Sequence, residues 1–141
     1  MALLLSVCLL SACESTKNNN GTTAYDINKL EGTWELEYIS APNITFESLY
    51  PATRPFIKFD IANKTLGGRT SCNHFSKPLV TKDSLIDFSG PIMMTKMYCP
   101  GEGEPTFVNV LTKVTSYKVD DNTLHFMTGD TLKMRFVKKT P

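Results

Sequence analysis

Ser116-Tyr-Lys-Val-Asp-Asp-Asn-Thr-Leu-His-Phe-Met-Thr-Gly-Asp-Thr-Leu-Lys-Met-Arg-Phe-Val137 decides the fold class. Tyr117 and Val119, then Leu124 and Phe126, then Leu132, Met134 and Phe136 recur at every second position, which places them on one face of an extended chain. Asp121-Asn122 and Gly129-Asp130 fall between these runs and are residue types that reverse a chain tightly. The stretch is a meander of three antiparallel strands. The same period continues upstream. Trp34, Leu36 and Tyr38 alternate with Glu35 and Glu37, predicting a strand with one buried and one wet face. Ile57, Phe59 and Ile61 alternate with Lys58 and Asp60, and Ala62-Asn63-Lys64 offers a turn. Residues 65–70 return as a strand, with Gly67-Gly68 marking a bulge or a close approach of backbones. Residues 79–81 and 85–88 flank Lys82-Asp83-Ser84 as a hairpin, and 92–97 form a further apolar strand.

One segment has a different period. Phe107, Val110, Leu111 and Val114 fall at i, i+3, i+4 and i+7, the stripe of an amphipathic helix. Pro105 suits its first turn, and Glu102 and Glu104 suit the positive end of its dipole. The expected fold is mainly β (α+β): a single antiparallel barrel-like sheet of about seven or eight strands, with one short helix near 104–114 as a cap or plug.

Composition narrows the function classes. The chain has 141 residues, enough for one domain of ordinary size. Its 15 Lys and Arg nearly balance 14 Asp and Glu, which argues against a nucleic-acid partner. Eight Phe, five Tyr and one Trp supply core bulk that a disordered chain lacks. Four Cys are too few for a disulfide-dense miniprotein and lack the close pairs of a zinc site.

The first twelve residues are apolar and uncharged, too short to span a bilayer but long enough for the core of a signal peptide. Leu10-Ser11-Ala12-Cys13 resembles a bacterial lipobox, in which the Cys is acylated and becomes the mature N-terminus. This divides the chain into a lipoprotein signal peptide (1–12), an acylated Cys13 with a flexible tether (13–29) and a folded domain (30–141). The expected location is the bacterial cell envelope, lipid-anchored at the outer membrane. A cytosolic protein with an apolar extension is the alternative.

Two segments carry a family likeness. Gly68-Arg-Thr-Ser-Cys-Asn-His-Phe-Ser and Gly90-Pro-Ile-Met-Met-Thr-Lys-Met-Tyr-Cys-Pro resemble the two signatures of the META domain, the family of HslJ-like heat-shock-inducible envelope lipoproteins. Leu30-Glu-Gly-Thr-Trp-Glu-Leu and Pro55-Phe-Ile-Lys-Phe-Asp resemble its opening strands. Lys77-Pro78 departs from the family pattern after Ser76, which leaves the turn there unassigned. The resemblance implies a small β-rich fold, a link to stress and antibiotic tolerance, no cofactor and no catalytic residues to carry over. It also places Cys72 and Cys99 in one constellation. In an oxidising envelope the two are expected to form a disulfide, with two buried reduced thiols as the alternative.

Candidate chemistry is sparse. Cys72 and His74, at i and i+2, share a strand face and suggest a thiol nucleophile, yet a partnered envelope Cys is more readily oxidised than nucleophilic. Cys72, His74, Cys99 and His125 offer metal-ligand types without metal-site spacing, so no metal is assigned. Asp120-Asp121 and Glu102/Glu104 read as turn residues and helix-start charges. Asn73 suits side-chain to backbone bonding in a loop. Met93 and Met94 must point to opposite faces of their strand, and with Asn73 and His74 they form the candidate binding patch. The leading expectation is a non-catalytic envelope lipoprotein that binds envelope components, a protein or a lipid. A carrier or sensor of a lipid or small apolar ligand in an open barrel is the second reading, and a Cys/His enzyme the third.

Overall fold

The computed structural model describes residues 25–140, so the leader and Cys13 lie outside the described residues. Ten strands form one curled antiparallel sheet, a half-barrel. They are β1 (Gly32–Ile39), β2 (Phe56–Asp60), β3 (Thr65–Arg69), β4 (His74–Pro78), β5 (Thr81–Lys82), β6 (Leu85–Ile86), β7 (Met93–Met94), β8 (Ser116–Asp120), β9 (Thr123–Thr128) and β10 (Thr131–Lys138). Their order is β5-β6-β8-β9-β10-β1-β2-β3-β4-β7. Two helices, α1 (Phe46–Leu49) and α2 (Gly103–Leu111), and a 3-10 turn at Ile27–Leu30 complete the domain.

The count is ten strands rather than seven or eight. β4 is the strand without a sequence signal, because its two inward residues are Phe75 and Lys77 and the lysine breaks the apolar alternation. Lys77-Pro78 therefore continue β4 instead of turning. Pro78 ends the strand beyond the reach of β7, which pairs only at Phe75 and Ser76, so its missing N–H costs no ladder bond there.

β1 departs from strict alternation. Its register against β10 skips at Glu37, a bulge that keeps Leu36 inward, turns Ile39 inward and sends Tyr38 out to 39% exposure. Tyr38 instead lies under the Arg135 guanidinium, 5.8 Å from its ring centre. Ile61 is half-buried at the turn after β2.

The glycine pair in β3 lets the backbones of both neighbouring strands come close. A Cβ at Gly68 would sit 2.0 Å from the Phe56 carbonyl oxygen, and one at Gly67 would sit 2.9 Å from that of Phe75. Backbone approach of this kind excludes every side chain.

Trp34, Phe59, Phe88, Phe107, Phe126 and Phe136 fill the concave side and are all fully buried. Phe126 packs 5.2 Å from Phe88 and 5.3 Å from Phe136, tilted and edge-on in the manner aromatic quadrupoles favour. The indole N–H of Trp34 donates to the Leu30 carbonyl at 2.7 Å and ties the 3-10 turn to the sheet. Asp26 caps that turn, and Tyr25 meets Tyr117 edge-on at 6.5 Å. Tyr25 and the 3-10 turn, which fall within or at the edge of the expected 13–29 tether, make these contacts with the sheet.

α2 buries Phe107, Val110 and Leu111, and Val114 stays buried one turn beyond its end. The helix stops at Leu111, short of the expected 114; Thr112 follows as its cap, and its hydroxyl donates back to the Val108 carbonyl at 2.9 Å. Leu111→Ala should cost about 2–5 kcal/mol as a large-to-small core change. Lys113→Ala, on the outer side, should stay within about 0.5 kcal/mol. Urea unfolding of both variants checks this; equal losses would contradict the assigned facing.

Lys77 is buried on the inward face of β4, where its ammonium donates to the Asp87 carbonyl at 3.2 Å and sits 5.5 Å above the Phe88 ring. Burial lowers its pKa below the ordinary lysine value, and the Asp87 charge opposes this in part. The folded chain thus holds this proton less firmly than the unfolded one, so wild-type stability gains as pH rises toward the ordinary lysine range. Lys77→Met should match or exceed the wild-type Tm at pH 7, with the difference shrinking as the pH rises toward the ordinary lysine range. A loss of stability at pH 7 would show that the ammonium is net favourable.

Candidate functional site

The loop between β3 and β4 builds the site. The Thr70 N–H donates to the Asn73 carbonyl at 2.9 Å, and Ser71 takes φ 93° to close the reversal. This tight loop turns the Asn73 side chain inward, where it is 1% exposed. Asn73 Oδ1 accepts from the Thr95 hydroxyl at 2.8 Å and from the Met97 N–H at 2.9 Å. Its Nδ2 faces three acceptors: the Met97 carbonyl at 3.1 Å, Cys99 Sγ at 3.1 Å and Glu104 Oε1 at 3.0 Å. With two N–H groups for three acceptors, one proton is shared.

Glu104 closes the network from the first turn of α2. Its Oε2 accepts from the Asn73 N–H at 3.2 Å and from the Thr70 hydroxyl. The carboxylate is thus fixed by three donated hydrogen bonds, not merely set in the field of a helix terminus. Glu102, two residues earlier, makes no capping bond and is exposed. Behind Glu104, Tyr50 donates to the Gly103 carbonyl at 3.0 Å, and a Cβ at Gly103 would meet the Leu49 carbonyl at 2.5 Å. Gly103 is therefore what lets α1 and α2 abut, and burial there pushes the Tyr50 hydroxyl pKa up.

Cys72 and Cys99 form a disulfide with Cα atoms 6.1 Å apart. The bridge, Asn73 and Glu104 hold residues 95–99 against the end of the sheet. Two hollows flank the brace. One, of ≈ 240 Å³, is lined by Cys72, Cys99, Tyr50, Ser71 and Glu104. The other, of ≈ 520 Å³, is lined by Ile92, Met94, Thr95, Met97, Tyr98 and Glu104.

The four patch residues converge here with different roles. Asn73 is the buried brace and offers no surface. His74 is exposed on the outer face. Met93 lies opposite Ser76 and is 69% exposed, whereas Met94 lies opposite Phe75 and is half-buried beside the core. The expected patch left out Met97 and Tyr98, which are 57% and 92% exposed. The strand expected over 92–97 is only β7 (Met93–Met94); Asn73 takes the Met97 N–H and carbonyl that a ladder would use. Cys72 has no free thiol to pair with His74. His125 lies on β9 opposite Lys118, away from both cysteines' bridge. Asp120 is paired with Lys118 at 2.8 Å, and Asp121 forms the β8–β9 turn at φ 50°. Among the described residues, no three His, Cys, Asp or Glu side chains are grouped as metal ligands.

The model of the META domain family matches residues 27–141. The chain belongs to the META domain family. Solved structures agree in fold. A protein from Burkholderia xenovorans matches with a TM-score of 0.63 and 15% identity, covering 96% of this chain and 100% of that one. A DUF4847 family protein from Bacteroides vulgatus matches with a TM-score of 0.55 and 16% identity, covering 79% of this chain and 95% of that one. At such identities the likeness is one of fold. No curated protein matches. Within this META domain the two signatures of the sequence are the two halves of the brace: Cys72-Asn73 lies in the first and Cys99 in the second.

Proposed function

We propose that this protein is a non-catalytic, lipid-anchored component of the bacterial cell envelope whose META domain binds another envelope component through the Met93–Tyr98 side of the brace. The supporting observation is that Met93, Met97 and Tyr98, at 69%, 57% and 92% exposure, project from a backbone fixed by a disulfide and by Asn73. Exposed methionine and tyrosine on a rigid support make adaptable contacts at low ordering cost. The anchor reading rests on Leu10-Ser11-Ala12-Cys13, and stress tolerance on the family resemblance.

The apolar-ligand reading has a narrower footing. Aromatic side chains fill the half-barrel, so a ligand would use the open ≈ 510 Å³ groove beside β5–β6, where Val80 and Leu85 are exposed. Native mass spectrometry of protein taken from its own envelope separates the readings. Acyl mass on Cys13 with a bound protein supports the proposal. A bound free lipid supports the carrier, and an unacylated soluble species overturns the anchor. Cys13→Ala should lose the acyl mass and leave the leader uncleaved.

A further inference from the structure

Residues 95–102 contribute nothing to the buried core; all are exposed except half-buried Cys99. Short of α2, they are fastened by the Thr95 bonds to His74, by Asn73 and by the Cys72–Cys99 bridge. The bridge lies at the end of the sheet, away from the aromatic interior. Both cysteines are part-exposed and line the ≈ 240 Å³ hollow. The two sulfurs are not equivalent, since Asn73 Nδ2 lies 3.1 Å from Cys99 Sγ.

We propose that Cys72–Cys99 is a thiol–disulfide exchange site, a substrate for a dithiol reductant, and that its reduction releases the 95–102 strap and with it the Met97–Tyr98 surface. One thiolate of the dithiol attacks Cys72 Sγ. The Sγ–Sγ bond breaks and its electron pair leaves on Cys99 Sγ, where the Asn73 N–H stabilises the new thiolate. The second thiol of the donor, deprotonated, then attacks the donor's own sulfur in the mixed disulfide. Cys72 is expelled as a thiolate and the donor departs as a disulfide. Each protein thiolate takes up one proton, so two electrons and two protons have passed. The Glu104 carboxylate lining the same hollow disfavours thiolates beside it, which weights the exchange toward the closed bridge. After reduction the sheet and its core remain, and the strap is left with hydrogen bonds alone.

This inference holds whatever the surface binds, so its failure and that of the binding reading are separable. The test is amide hydrogen exchange on the folded chain, oxidised and after dithiothreitol, with Cys72→Ser/Cys99→Ser as a second route to the unbridged state. Exchange across 95–102 should rise at least tenfold in both unbridged forms, while β8–β10 change less than twofold. A monothiol quenched early should be found on Cys72. Unchanged exchange in 95–102, or a rise shared by β8–β10, overturns the release. A first adduct on Cys99 overturns the assigned direction of attack.

Discussion

Gly68→Val should leave no stable native domain. Its Cβ would stand 2.0 Å from the Phe56 carbonyl oxygen and 3.1 Å from the Ile57 Cα, both backbone atoms of the paired strand. No rotamer relieves a clash at Cβ, so β2 and β3 must separate or the curl must flatten. Either change disturbs Ile57, Phe59 and Leu66 together, and the cost belongs at or above the upper end of the overpacking range, about 3 kcal/mol or more. Gly129→Ala is the control. It has φ 56° but nothing within 4 Å, so only the backbone conformation is penalised, at about 1 kcal/mol. Circular dichroism and urea midpoints of the two variants measure the contrast. Similar losses would show that conformational freedom rather than close approach selects glycine at position 68.

Asn73→Ala should be the most damaging polar change. It strips partners from the Thr95 hydroxyl, from the N–H and carbonyl of Met97, and from one oxygen of Glu104. Each part-buried group left unpaired costs up to about 1–3 kcal/mol, less where water reaches it. A total of about 3–5 kcal/mol is expected, even with the disulfide intact. Asn73→Asp keeps the shape but places a second carboxylate against Glu104, so it should also destabilise at neutral pH and recover as the pH falls and one carboxyl is protonated. An Asn73→Ala loss below about 1 kcal/mol would mean that the disulfide alone holds the segment.

Much of the architecture was legible in the sequence because most strands have one wet face. The β8–β9–β10 meander, the β5–β6 hairpin and the α2 stripe all follow from periodicity and turn chemistry. The failures have local physical causes. β4 hides its strand period behind inward-facing Lys77. Tyr38 is turned outward by a bulge that an alternation of apolar residues does not reveal. The site was half legible. The cysteines and Asn73 stood out through the resemblance and through residue chemistry, and Met93-Met94 through the geometry of adjacent residues on a strand. Glu104 did not, since an acid in a first helical turn is ordinary there. Only the tertiary position of the β3–β4 loop shows that its oxygens meet Thr70 and Asn73. Tyr98 was missed because exposure at 92% depends on where the brace ends, not on its neighbours in sequence.

The brace also joins the two functional ideas. Met97 is bonded through its backbone to Asn73, so its side chain is presented on a fixed support, and the same support is what reduction would loosen. The most direct test of the binding face is site-specific photocrosslinking in intact cells of the natural host. A photoreactive phenylalanine is placed at Met93, at Tyr98 and, as a control on the opposite part of the sheet, at Lys118. One and the same crosslinked product from positions 93 and 98, absent at 118, is the expected result. Products alike at all three positions, or none at 93 and 98, would contradict the assignment of this surface as the binding face.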